Sequence, residues 1–297
     1  MLHTISNAYL TVAVAEKGAE LQSVRDCGGT EYLWQGDARY WSERAPNIFP
    51  YVGRLTEGKY CLDGELHEMA IHGIAPYALF RLTERENGSL TLELTDREWR
   101  RQFPRSFALR IRYDLISDRI AITYEVENRD ERTLHFGIGG HPGFRVPVRG
   151  GLSFEDYRLR FSEPCRPRQI GFTESCFLDG TDDAFPLEED QYIPLRHGLF
   201  DHDAIVLKEM AREVTLETSG GEPVATVSYP DFTYLGFWHR PKTDAPYLCI
   251  EPWSSLPSTQ DRIAVFEEQP DLLRLAPGDT WRSTWTIQIH GISPEEG

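Results

Sequence analysis

The stretch "SFALRIRYDLISDRIAITYEVEN", residues 106–128, decides the fold class. Phe107, Leu109, Ile111, Tyr113 and Leu115 alternate with largely polar positions, and Ile120, Ile122, Tyr124 and Val126 resume the pattern after Ser117-Asp118. A period of two marks a half-buried strand, because successive side chains leave the backbone on opposite faces. Two such runs joined by two residues predict an antiparallel hairpin. Outward from it, "SLTLELT", "YRLRFS", "EVTLETS", "PVATVSY" and "TWRSTWTIQI" carry the same period. Half-buried strands in this number are best satisfied by stacked antiparallel sheets.

Helical candidates are few. "TDREWRRQFP" is expected to form one or two turns before Pro104, and "HDAIVLKEMA" fits helix or strand. Strands do not alternate with helices, which argues against a doubly wound nucleotide-binding fold. No Pro- or Ser-rich linker divides the chain, and no repeat of 20–50 residues is evident. Asn87-Gly88-Ser89 matches a glycosylation sequon but reads as a hairpin turn. The expectation is an all-β protein, one large antiparallel β-sandwich over residues 1–297, with function on the loops and strand ends of one concave face.

Composition narrows the partners. With 40% hydrophobic and 12% aromatic residues the chain can build a sizeable core. A net charge of −16 argues against nucleic acid, whose phosphates demand Lys and Arg, and against anionic membranes. A neutral small molecule fits best. The five cysteines form no CxxC and are odd in number, which suits free thiols in a reducing compartment. "YLTVAVA" near the N-terminus is too short for a span or an export signal, so a cytoplasmic location is expected. A monomer or homodimer fits the composition equally well.

No P-loop, G-x-S-x-G elbow, H-E-x-x-H or EF-hand loop is present. The chemistry must come from a dispersed set. "GIGGHPGFRVP" (137–147) fixes His141 between glycines and Pro142, whose ring biases the preceding residue toward extended backbone. The glycines leave space for another backbone or a ligand. Arg54 sits in "NIFPYVGRLTEGKY", His72 in "AIHGIAPY", Asp201 and Asp203 in "LFDHDAIVL", and Trp238 and His239 in "YLGFWHR". Glu251 stands out, because "YLCIEPW" is apolar on both sides of it and burying a carboxylate is costly. Such a glutamate is either paired or raised in pKa, and a raised one is a useful base. Two histidines and a glutamate are tools for moving protons, while tryptophan faces suit the C–H side of a sugar ring. Taken singly, each has an ordinary structural explanation: a hydrogen-bonded turn histidine, a surface arginine, core tryptophans.

The set Asn47-Ile-Phe-Pro-Tyr-Val-Gly-Arg54, His72-Gly73, His141-Pro142 and Glu251-Pro252-Trp253, in that order through most of the chain, resembles the aldose 1-epimerase (mutarotase) family, closest to its short bacterial branch. The resemblance implies a galactose mutarotase-like supersandwich in one domain, with no metal and no cofactor. It implies Glu251 as general base on the anomeric hydroxyl, His141 as general acid on the ring oxygen, and His72 positioning the sugar near that oxygen. Arg54 is matched to an arginine contacting hydroxyls, and Trp238 and Trp253 are assigned to the sugar face. The family's hydroxyl-gripping aspartate falls on Asp203 or Asp201, with Asp203 favoured because it abuts the apolar run. "SEPCRPRQIG" and "LEEDQY" have no clear counterpart, so substrate choice is expected there. Alternatives are a hexose-6-phosphate epimerase using Arg145, Arg166 and Arg168, a non-catalytic carbohydrate-binding or sensing protein, and a zinc centre of His72, His141 and Glu251.

Overall fold

In the computed structural model, which describes residues 1–292, the hairpin of residues 106–128 forms as Phe107–Ile116 against Arg119–Asn128. Its register is unbroken from Ile116↔Arg119 to Phe107↔Asn128, and Ser117 turns the chain at φ 54°. Alternation then does what the sequence pattern requires. Leu109, Ile111, Tyr113, Ile120, Ile122, Tyr124 and Val126 are buried, while the arginines and glutamates between them line the other face. There Arg110 meets Glu93, Glu125 and Glu127 across the strands.

This hairpin lies inside a nine-stranded antiparallel sheet. On one side it continues through Ser89–Thr95 to Arg81–Glu86, on the other through Thr280–Ile289, Pro223–Ser228, Glu213–Thr218 and Tyr157–Phe161 to Tyr192–Pro194. Asn87-Gly88 forms the turn between its two outermost strands, with Gly88 at φ +77°. A second sheet runs Leu178–Ala184, Arg168–Phe172, Ile205–Lys208, Tyr234–Trp238, Tyr247–Trp253, Gly139–Gly140 and Asn47–Ile48, with Gly143–Arg145 also paired to Tyr247–Trp253. The two sheets share one buried core: Leu235, Phe237, Leu248 and Ile250 of the second sheet belong to the same packed cluster as the hairpin. Burying such side chains stabilises the fold by about 1.5–3 kcal/mol each.

Of the two helical candidates, one forms a turn and the other a strand. "TDREWRRQFP" yields a single 3₁₀ turn at Asp96–Glu98, and "HDAIVLKEMA" contributes the strand Ile205–Lys208, buried at Ile205, Val206 and Leu207. No disulfide joins the cysteines. No helix of the described residues is long and apolar enough to cross a membrane.

One polar cluster locks the second sheet onto the first. Asn47, 3% exposed, places its Nδ2 3.0 Å from the carbonyls of Gly18 and Ala19 and 3.1 Å from the Tyr113 hydroxyl. Tyr113 donates to Ala19 O at 2.7 Å. The Tyr124 hydroxyl lies between Asn47 Oδ1 at 2.8 Å and Gly139 O at 3.1 Å. Both tyrosines come from the hairpin of residues 106–128, and Gly139 lies two residues before His141. A Cβ on Gly140 would stand 2.6 Å from Trp285 Cζ2, and one on Gly139 would stand 2.6 Å from the Pro252 carbonyl. The space that these glycines leave is therefore filled by the protein's own packing and holds no room for a sugar, contrary to the ligand reading of "GGHPGF".

Gly140→Ala should overpack this contact at a cost of about 1–3 kcal/mol. Asn47→Ala, which strips partners from two buried hydroxyls, should cost about 1–3 kcal/mol. At about 2–4 °C per kcal/mol, calorimetry should record both as clear falls in Tm. An unchanged Tm for both would show that the cluster is not what joins the sheets.

Candidate active site

The strand Tyr247–Trp253 is buried at every position. It pairs on one side with Tyr234–Trp238, through Gly236↔Glu251 and Trp238↔Cys249. On the other side Gly139↔Trp253 and Gly143↔Cys249 share one register, which sets His141 directly opposite Glu251. The ladder is kept past Pro142, which has no N–H, because its carbonyl accepts from Ile250 N at 3.1 Å. His141 N in turn donates to Pro46 O at 2.9 Å. The result is a cross-strand acid–base pair, His141 Nε2 lying 3.2 Å from Glu251 Oε2.

The pair lies between two apolar clusters on the outer face of this sheet. Ile48, Val52, Ile170, Val206 and Trp253 form one, and Trp34, Ala245, Tyr247 and Cys249 form the other. Glu251 is 1% exposed. Burial raises its carboxyl well above the ordinary carboxylate range, and the negative charge of Asp203 adds to the rise. The Trp253 indole works weakly the other way, without an aligned hydrogen bond. Burial likewise holds the His141 imidazole well below 6.5, with His72 acting in the same direction and a backbone hydrogen bond opposing. Both shifts have the same root, since each group loses more water as an ion than as a neutral molecule. Burial therefore favours the uncharged form of each group, carboxylic acid and neutral imidazole, over its ion. Neither Glu251 oxygen, nor His141 Nδ1, has a hydrogen-bond partner among the described residues.

A cavity of about 240 Å³ opens onto the pair. His72, Arg54, Asp203, Trp238 and Trp253 all line it, so the structure gathers into one wall residues that are scattered along the chain. Asp201 does not line it. Asp203 stands at φ 80° and accepts from Trp238 Nε1 at 2.6 Å and from Cys176 Sγ at 2.7 Å. Those bonds fix its carboxylate at the cavity wall. His72 stands at φ 63°, clamped to the loop before Arg54: His72 N donates to Gly53 O at 2.9 Å, and Gly53 N donates to His72 Nδ1 at 3.2 Å. An Nδ1 that accepts leaves Nε2–H as the donor, so the ring is the neutral tautomer. Burial, followed by the charge of Arg54, brings its pKa down to about 4. Backbone held in the left-handed region by non-glycine residues costs about 1–3 kcal/mol, and such strain gathers at working sites.

Sequence reading missed Trp41, Cys176 and Phe172. Trp41 lies over His141 with ring centroids 5.0 Å apart and meets Trp238 edge-on at 5.5 Å. It sits in an irregular loop, where no periodicity announces it. Phe172 and Cys176 follow "SEPCRPRQIG" and are what that region contributes to the wall; "LEEDQY" contributes nothing. His239, quoted with Trp238, faces the opposite way and pairs with His197 at 3.1 Å. Arg168 is bound to Asp182, Arg166 lies near Asp190, and Arg145 reaches Glu31 O; none lines the cavity. The ligand atoms drawn together are those of His141, Cys249 and Glu251, all within 4.8 Å of one another, and His72 is not among them.

Residues 1–288 match the protein family described as aldose 1-epimerase. The chromosomal form of protein LacX from Lactococcus lactis subsp. lactis is 32% identical over 299 residues, covering 96% of this chain and 98% of that one. The crystal structure of a galactose mutarotase related enzyme from Lactobacillus acidophilus superposes with a TM-score of 0.92 at 30% identity, covering 98% of both chains. A galactose mutarotase-like protein from Lactobacillus casei gives 0.90 at 27% identity, covering 98% of this chain and 100% of the other. The antiparallel sandwich is thus the galactose mutarotase-like fold. With a match along nearly its whole length, the chain belongs to the aldose 1-epimerase family.

Proposed function

We propose that the cavity binds a neutral aldohexose and interconverts its α and β anomers, with Glu251 and His141 moving the two protons. The observation that carries this reading is the pair itself: a buried carboxyl and imidazole 3.2 Å apart, on adjacent strands, at the base of a cavity. The anomeric and ring oxygens of a cyclic sugar are bonded to the same carbon. Groups that serve both must be near neighbours.

Ring opening starts from the proton-shifted form of the pair, a Glu251 carboxylate and a His141 imidazolium. Glu251 takes the anomeric hydroxyl proton, the freed electron pair becomes the C1=O1 bond, and the C1–O5 bond breaks as O5 takes the proton from His141. The pair is left as carboxylic acid and neutral imidazole, the form that burial favours. Rotation about C1–C2 presents the other face of the aldehyde. On closure His141 recovers the O5 proton and Glu251 returns one to O1. Net charge in the pair never changes, which suits an environment that penalises ions. Each group is expected to contribute about 10²–10⁴-fold.

The walls supply positioning. Asp203 accepts from sugar hydroxyls with the lone pairs that Trp238 and Cys176 leave open, and Arg54 and the His72 Nε2–H donate. The tryptophans offer apolar faces. With Arg145, Arg166 and Arg168 outside the cavity, and Arg54 in its wall set against Glu43 and Asp203, a free hexose is favoured over its phosphate.

Polarimetry of a pure anomer in weak buffer tests the proposal. The protein should hasten the decay of rotation, and Glu251→Gln or His141→Asn should slow it by about 10²–10⁴-fold with the fold intact. Sugar binding by calorimetry with no effect on anomerisation would instead mark a binding protein. Asp203→Ala should act mainly on KM, raising it about 10–100-fold, the value of a hydrogen bond to a charged group.

The pH profile follows from the pair holding one mobile proton. A second proton enters only below the ordinary imidazole value of 6.5, because His141 is depressed. The last one leaves only well above the ordinary carboxyl value of 4.5, because Glu251 is raised. Activity should therefore show no acid limb at 6.5, and His72, charged only below about 4, adds none there either. A sharp acid limb centred at 6.5 would contradict this assignment.

A further inference from the structure

Cys249 has no part in ring opening, yet it stands in the same file as Glu251. Residues two apart on a strand project from the same face, so thiol and carboxylate are neighbours, and His141 meets them from the adjacent strand. One ligand atom from each lies within 4.8 Å of the other two, and all three residues are buried. His141 Nε2 and Glu251 Oε2, 3.2 Å apart, already have about the separation of two ligands on one tetrahedral ion with bonds of about 2.0–2.1 Å. Both Glu251 oxygens lack any hydrogen-bond donor although the side chain is 99% buried, being 1% exposed. A ligand set of one nitrogen, one sulfur and one oxygen, with His141 and Glu251 lining the cavity and Cys249 behind them, is a zinc-type set.

We infer that His141, Cys249 and Glu251 form a site for a single thiophilic divalent cation, Zn²⁺ or Co²⁺, which enters through the cavity and blocks it to sugar. On binding, the thiol and any protonated carboxyl release their protons to solvent, and the imidazole coordinates as the neutral base. Thiolate and carboxylate then cancel the ion's two charges, so the buried complex is neutral overall. Mg²⁺ and Ca²⁺, which require six or more ligands that are mostly oxygen, find one carboxylate here and are excluded. The ion is an inhibitor on this account: it occupies the two groups that the sugar needs and supplies no chemistry.

Titration of the intact protein with Co²⁺ tests the site apart from any activity. A thiolate-to-cobalt charge-transfer band should grow to one equivalent and be displaced by Zn²⁺. The band should vanish in Cys249→Ser and persist in Cys176→Ser, whose thiol is bonded to Asp203 and lies outside the ligand set. In polarimetry, Zn²⁺ at micromolar levels should slow anomerisation, EDTA should restore it, and excess sugar should raise the Zn²⁺ needed. Cys249→Ser should raise that concentration by at least about tenfold, as even outer-shell changes at metal sites do. The absence of a thiolate band in the wild-type protein overturns the site, whether or not the sugar chemistry holds and whether or not Cys249→Ser folds. A band lost in Cys176→Ser and kept in Cys249→Ser, or inhibition equalled by Mg²⁺, overturns it as well.

Discussion

The buried amide of Asn47 is the point on which the site hangs. Through it the tyrosine hydroxyls of the hairpin of residues 106–128, the carbonyls of Gly18 and Ala19 and the carbonyl of Gly139 become one hydrogen-bonded unit. An amide can do this because it donates and accepts at once, and its cost of burial is offset only when every partner is present. The consequence reaches His141, two residues past Gly139, whose backbone is fixed from one side by this unit and from the other by Pro46. The imidazole is held in place by the contact between the two sheets, with little left to the loop that carries it.

The electrostatics follow from the same packing. Two apolar clusters flank Glu251 and His141, and they make ions expensive without making proton transfer expensive. A proton passing between neighbouring neutral groups, or through a sugar that bridges them, changes no net charge. The opposite displacements of the two pKa values are therefore one effect. It favours the single-proton state of the pair over both its neighbours in pH.

Much of this was legible in the chain. Strict alternation over residues 106–128 predicted the hairpin, and the apolar setting of "YLCIEPW" singled out Glu251, because a carboxylate among core residues needs an explanation. Family resemblance tied His141, His72 and Arg54 to it. What could not be read was anything set by tertiary proximity. Trp41 reaches His141 from an irregular loop, Cys176 meets Asp203 across 27 residues, and Cys249 looks like any buried cysteine until the register sets His141 beside it. The space at Gly139 and Gly140 was visible from composition, but its occupant was not. Trp285 fills it at Gly140 and the Pro252 carbonyl fills it at Gly139, both from strands more than a hundred residues away.

The register that sets His141 against Glu251 separates two things that enzymes often entangle. The spacing of acid and base is a sheet dimension, as fixed as the distance between adjacent strands. Three residues of the cavity wall, Trp41, Cys176 and Asp203, lie instead on connecting segments. Insertions and substitutions in those segments can reshape the cavity while leaving the spacing of the pair unaltered. Such a scaffold can change clients without reinventing its chemistry, and a single fixed pair is enough to serve many differently shaped mouths.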